Sequence, residues 1–181
     1  MFAARGFSRT TVVAVATAAG VSPEMIYKSF GGKAGLVRSI WHDALAGSGP
    51  VHAERRSDTL AASSRSGSEI IEGWVRLSLE VAPPAVGVLA LVRSAAEVDA
   101  DAAGLLDEIE RARAERMLHN ARALADGGHL RHDVSIEQAR DLLLIFSSEY
   151  YDRLVSRAGW DMDAYVATMT RMMSAALLRR E

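Results

Sequence analysis

Between Ser22 and Lys33 the sequence SPEMIYKSFGGK gathers residues suited to a polyanionic surface. Tyr27 and Lys28 carry a phenol and an ammonium, both able to donate to phosphate oxygens, and Lys33 follows two glycines. Glu24 is an acceptor when ionised, so it takes hydrogen bonds from amino groups and is repelled by phosphate. Other candidate chemistry is thinner. His129 and His132 stand two residues apart beside Asp133, a spacing that suits a metal, but no further ligand cluster accompanies them and the expected reading is a solvated turn. Gly31-Gly32-Lys33 lacks the full spacing of a nucleotide-binding phosphate loop. The absence of cysteine excludes disulfides, thiolate metal sites and cysteine nucleophiles. No Ser/His/Asp constellation and no paired carboxylates outside salt-bridged helix faces stand out. No catalytic residue, metal or cofactor is therefore expected.

The elements that must position Tyr27 and Lys28 are legible from local signals. Ser22 is an N-cap, Pro23 suits the first helical position because its missing N–H is not needed there, and Glu24 favours the positive end of the helix dipole. Upstream, Val12, Val15, Ala16 and Ala19 recur at i, i+3, i+4 and i+7, with Thr10 as the expected N-cap and Gly20 closing the helix. A third helix runs from about Ala34 to Ala46, with Leu36, Val37, Ile40, Trp41 and Ala44 inward.

Apolar residues keep helical spacing almost throughout, so the fold class is all-α. Gly, Ser, Arg and Ala dominate Gly47 to Ser68, which reads as a linker or loop with at most a weak helical turn. The expected domains are residues 1–46 and 47–181. Helices are expected at Glu69–Val81, at Pro84–Val98 beginning on its proline, and at Asp101–Ala125, whose LLDEIERARAER run reads as a solvated, salt-bridged face. Two final helices, Glu137–Arg157 and Asp163–Leu178, are apolar on more than one side. That pattern demands a second partner, and self-association supplies it.

Bulk numbers leave room for one or two domains in 181 residues with a net charge of −2. Residues 1–45 hold Arg5, Arg9, Lys28, Lys33 and Arg38 against Glu24 and Asp43, a balance of +3 that leaves −5 for the remainder. The opening MFAARGFSRTTVVAVATAAG superficially resembles a signal peptide, but Thr10, Thr11 and Thr17 break its apolar run and a short helix fits it equally. Val81 to Val92 is too short to span a membrane and contains Pro83 and Pro84. The expectation is a soluble, cytoplasmic chain with no membrane partner.

Two capped helices joined by a glycine turn within Thr10 to Phe30 make a helix-turn-helix, whose second helix lies in the DNA major groove. Val12, Ala16, Val21, Ile26 and Phe30 are expected to hold the pair together, leaving Pro23, Glu24, Met25, Tyr27 and Lys28 outward. Gly6-Phe7, Thr10-Thr11-Val12, Val15-Ala16, Ala19 to Ser22, Ile26-Tyr27, Phe30, Lys33 and Leu36 resemble the N-terminal signature of TetR/AcrR-type transcriptional regulators. The resemblance implies a homodimeric DNA-binding regulator, a repressor released from a double-stranded operator by a small-molecule effector. It places Thr10, Thr11 and Tyr27 on phosphates, Ser22, Pro23, Glu24, Met25 and Lys28 at base edges or backbone, and a further phosphate on Lys33. Glu24 and Met25 stand where the family usually has Gly and Thr, and Gly32 replaces a usual capping Ser or Asn. Only five residues precede Gly6, so the first helix is cut short and the numbering is expected to begin inside a longer chain.

For the effector pocket the family's helices point to Trp74, Leu77, Arg93, Met117, Phe146 and Tyr150, each of which also suits an ordinary core. Arg93, on a mostly apolar helix, needs a partner: Glu97 or a ligand anion. Leu142, Tyr151, Leu154, Tyr165, Met169, Met172 and Met173 are the expected dimer interface. The methionines read as interface packing rather than a cofactor box. The alternative class is a helical small-molecule-binding or interaction protein without DNA-binding activity.

Overall fold

The computed structural model describes residues 1–147 and 149–179, which form helices and one isolated antiparallel bridge, Leu130 with Leu178. In chain order the helices are α1 (Phe2–Arg5), α2 (Val12–Ala19), α3 (Pro23–Phe30), α4 (Lys33–Ala46), α5 (Ala53–Ser63), α6 (Gly67–Ala96) and α7 (Ala100–Asp126). They continue with α8 (Ile136–Ser147), the short α9 (Glu149–Tyr151), a π-helical stretch (Asp152–Arg157) and α10 (Met162–Leu177). The chain divides into two compact units: Met1–Ala44 with Pro84–Glu110, and Leu45–Pro83 with Arg111–Glu181.

In the first unit, α2 and α3 meet over Val12, Ala16 and Ile26, with Val15 and Leu36 packed against them. Val37 and Trp41 of α4 are buried, as are Ala85, Leu89 and Val92 of α6 and Leu105 and Ile109 of α7. Three charged contacts tie α4 and α6 to the start of α7. Arg38 donates twice to the Glu108 carboxylate at 2.7 Å. Lys33 Nζ lies 3.3 Å from Asp99 Oδ2, and Arg93 Nη2 lies 2.7 Å from Glu110 Oε1. Arg93 thus has a carboxylate partner on another helix.

In the second unit, Tyr165, Val166, Met169, Met173 and Leu177 of α10 are buried, and the Tyr151 ring meets Tyr165 edge-on at 5.8 Å. The side chain of Asp161 caps α10 by accepting the Ala164 N–H. The chain end is pinned by Arg131 N–H to Leu177 O and Arg179 N–H to His129 O.

Several expected elements are corrected. The stretch Gly47 to Ser68 contains an 11-residue helix, α5, held by contacts distant in sequence. Arg56 donates to both Glu80 oxygens at 2.9 and 2.7 Å, and Arg116 reaches Ser57 Oγ and Asp58. The two helices expected around Pro83-Pro84 are one, because buried residues on both sides continue a single stripe: Ile70, Ile71, Trp74 and Val75, then Ala82, Ala85, Leu89, Val92 and Ala95. Burial outweighs the roughly 3 kcal/mol a proline costs inside a helix. By length and composition α6 could cross a membrane, with a mean hydropathy of 1.6 over its most apolar window. One stripe of it is buried within the chain, and it carries Arg76, Glu80 and Arg93, each in an ion pair. The expected helix Glu137–Arg157 is α8, α9 and the π-helical stretch, with residue 148 outside the described residues. Val21, Phe30 and Ile40, expected inside, are exposed, and Arg113, expected on a solvated face, is buried.

Candidate nucleic-acid interface

Local chemistry builds the interface one cap at a time. Thr11, not Thr10, caps α2: its Oγ1 accepts the Ala14 N–H at 3.1 Å. Thr10 is buried and its hydroxyl donates to Gly6 O at 2.7 Å, so it braces the segment below the surface. Gly20 ends α2 in the left-handed conformation that a residue with a Cβ rarely adopts, at φ 68°. Ser22 Oγ then accepts the Met25 N–H at 3.2 Å and Pro23 occupies the first turn of α3. Only Ile26 of α3 is buried, which presents the rest of the helix outward.

On that outward side Met25 is 56% exposed and Tyr27 57%, with Glu24 and Lys28 also exposed and Pro23 half-buried. The Glu24 carboxylate is held by its own backbone N–H and by the Ser22 side chain, which lower its pKa below the ordinary carboxylate value. Tyr27 leans toward the turn behind it: a Cβ built on Gly32, whose φ is 120°, would sit 3.4 Å from its ring. Gly35 is under a harder constraint, since a Cβ there would fall 1.6 Å from Phe30 O. Gly35, in the first turn of α4, lets that helix approach the end of α3 to backbone contact.

A cleft of about 550 Å³ opens here, lined by Thr11, Tyr27, Gly32, Lys33, Arg38 and Asp101 among others. Ser8, Thr11, Tyr27 and Lys33 bring side-chain donors to its lining. Lys33 is nonetheless turned inward: besides Asp99, its ammonium lies 4.2 Å from the centre of the Phe7 ring. Asp99 Oδ1 accepts the Ala102 N–H at 3.1 Å. That bond, then the lysine, holds the Asp99 carboxyl below its ordinary range.

The structure thus brings Thr11, Ser22, Met25, Tyr27 and Lys28 to one unit's surface, with Thr10 beneath and Lys33 drawn to Asp99. This segment matches a known sequence family: residues 1–40 fit the family model described as bacterial regulatory proteins, tetR family. The chain carries a TetR-family DNA-binding domain. That match supports a DNA-binding role for this segment, of the kind found in transcriptional regulators. No curated protein matches the chain in sequence. Among solved structures it is similar to NalD, the secondary repressor of the MexAB-OprM multidrug efflux pump in Pseudomonas aeruginosa, at TM-score 0.73 and 17% identity over 99% of this chain and 92% of that one. It is also similar to the SmeT–triclosan complex, at TM-score 0.72 and 16% identity over 98% and 86%. A third similar structure is the fatty acid degradation regulator FadR from Bacillus halodurans, at TM-score 0.69 and 14% identity over 99% and 91%. At such identities the likeness establishes the fold alone.

Beyond the TetR-family domain, the second unit holds five of the six expected pocket residues. Trp74 is buried with its Nε1–H 3.4 Å from Ser57 O, while Leu77, Met117, Phe146 and Tyr150 are half-buried. Phe146 and Tyr150 pair at 5.5 Å between ring centres. Arg93 stands apart: it is exposed and belongs to the first unit. Two residues that the sequence reading did not select are more unusual. Arg113 is buried and donates to Ser147 Oγ at 3.1 Å and to Glu149 at 3.3 Å. Asn120 is buried with its Oδ1 unpartnered. A signal for both existed: they interrupt the stripe Leu105, Ile109, Ala121, Leu124 that faces the core.

The expected dimer residues divide. Tyr151, Tyr165, Met169 and Met173 are buried within one copy, where they pack in its own core. Leu142 and Leu154 are half-buried and Met172 is exposed. His129, His132 and Asp133 form no metal cluster among the described residues. Arg131 instead holds Asp133 at 2.6 Å and lowers its carboxyl pKa to about 2.

Proposed function

We propose that the protein is a homodimeric repressor that holds a two-fold operator through paired α3 helices and releases it on binding a small molecule. The observation that carries the DNA-contacting assignment is α3 itself: an eight-residue helix capped at both ends, with one buried residue and a tyrosine and lysine standing outward. In a helix-turn-helix such a helix enters the major groove, and phosphate contacts fix its register. Thr11 and Tyr27 suit backbone contacts at the cleft, Met25 suits a base edge, and Lys28 reaches both the base edges and a flanking phosphate. Thr10 supports this surface from below, and Lys33 reaches a phosphate only by leaving Asp99.

The effector site belongs among Trp74, Leu77, Met117, Phe146 and Tyr150, with Arg113 and Asn120 as polar neighbours. SmeT was solved with an aromatic, mostly apolar molecule, triclosan, and the aromatic and thioether side chains here suit that class. The dimer is built from Leu142, Leu154 and Met172 with exposed Ile145 and Met162. Release follows from population shift: an effector that binds better to the DNA-incompetent arrangement draws the dimer into it.

Replacing Tyr27 and Lys28 by alanine tests the DNA assignment. Affinity for an operator selected from random duplexes falls, and the slope of log K against log salt loses about 0.9 for each lysine removed from a phosphate. Unchanged affinity and slope reject the assignment.

A further inference from the structure

We infer that Met25 is a specificity-determining residue that reads a thymine through its C5 methyl group; this rests on the proposed docking of α3 in the major groove. The argument begins with what the neighbouring side chains are already doing. Glu24 stands in the first turn of α3, where its carboxylate charge complements the positive end of that helix. Tyr27 leans over Gly32 toward the cleft. Ile26 is buried. Met25 remains: it is the third residue of α3, 56% exposed, and three residues from Lys28, hence on the same outward face.

An exposed thioether there has no partner in its own unit that hides it, and the N-terminal residues of a recognition helix are those that meet base edges. The base edges of the major groove present carbonyls, ring nitrogens and amino groups, and a single methyl, that of thymine. Methionine neither donates nor accepts strongly, so hydrogen-bond readout is closed to it. Its flexible, polarizable chain packs well on a methyl group. The Glu24 charge beside it adds a second restriction: held at the head of α3, it disfavours a close phosphate and leaves base contact as the use of this end.

Deoxyuridine removes that methyl and nothing else from the base edge. The full chain is used to select an operator from random duplex DNA. Each thymine is then replaced in turn by deoxyuridine, and binding is measured by fluorescence anisotropy for the native protein and for Met25→Ala. The expected result is one thymine per half-site whose replacement weakens native binding about fourfold, the worth of one buried methyl. The same replacement leaves Met25→Ala unaffected. Met25 is exposed, so the variant keeps its fold, checked by its melting temperature. An operator whose deoxyuridine penalties are the same in both proteins overturns the inference alone. Failure to enrich any sequence overturns the DNA-docking reading and this inference with it.

Discussion

Glu80 shows how much one carboxylate can organise. It accepts two bonds from Arg56 and two from Ser48, through the backbone N–H and the hydroxyl, and its pKa is lowered to about 2. The Arg56 hydrogen bonds are the main cause, with Ser48 adding to them. The folded-state pKa lies below the unfolded one, so this contribution to stability is complete above about pH 4.5 and disappears as pH falls toward 2. Thermal melting of the native protein followed between pH 6 and pH 2.5 is therefore expected to show a loss that Glu80→Gln reduces. A variant that loses stability in parallel with the native chain across that interval contradicts the assignment. None of these contacts is visible locally: Arg56, Ser48 and Glu80 are separated by 24 and 32 residues, and the sequence shows a Gly- and Ser-rich run where the structure has a clamp.

Helices differed in legibility for a reason of the same kind. α2, α3, α4 and α10 are legible from apolar residues at helical intervals, with Ser22 starting α3 and Gly20 ending α2, although Thr11 rather than Thr10 caps α2 and the Asp161 cap starts α10 slightly before the expected Asp163. α5 has little apolar content and owes its place to Glu80, Arg116 and Trp74. α6 was misread in the opposite direction, since two adjacent prolines are a strong local stop signal that burial overrides. Pro83 and Pro84 lack the N–H groups that would bond Leu79 O and Glu80 O in an uninterrupted ladder. They also coincide with the boundary between the two compact units. Replacing both with alanine restores two donors and is expected to raise the melting temperature by several degrees. A lower melting temperature shows that the neighbouring packing requires the prolines' shape.

At the scale of the whole molecule, sequence periodicity announced an excess of apolar residues near the C-terminus but not its disposition. Tyr151, Tyr165, Met169 and Met173 close one copy's core, whereas Met172 and Ile145 remain exposed. A helical pattern alone does not separate these, because adjacent positions such as Met172 and Met173 fall on different sides only once the neighbours are known. Two substitutions distinguish the roles. Met172→Glu is expected to shift sedimenting species from dimer to monomer at little cost to folding. Met169→Ala, at a fully buried position, is expected to cost about 2–5 kcal/mol of stability by denaturant titration. A dimer indifferent to Met172→Glu removes α10 from the proposed interface.

Asp99 has a dual attachment. One oxygen fastens the first turn of α7 through Ala102, and the other restrains Lys33 at the head of α4. The two oxygens belong to one delocalised charge, so fraying at that turn and liberation of the lysine are chemically linked events. A neutral amide at position 99 registers in both places at once, and only its combination with a change at Lys33 separates a weakened helix start from an ammonium newly available to the duplex.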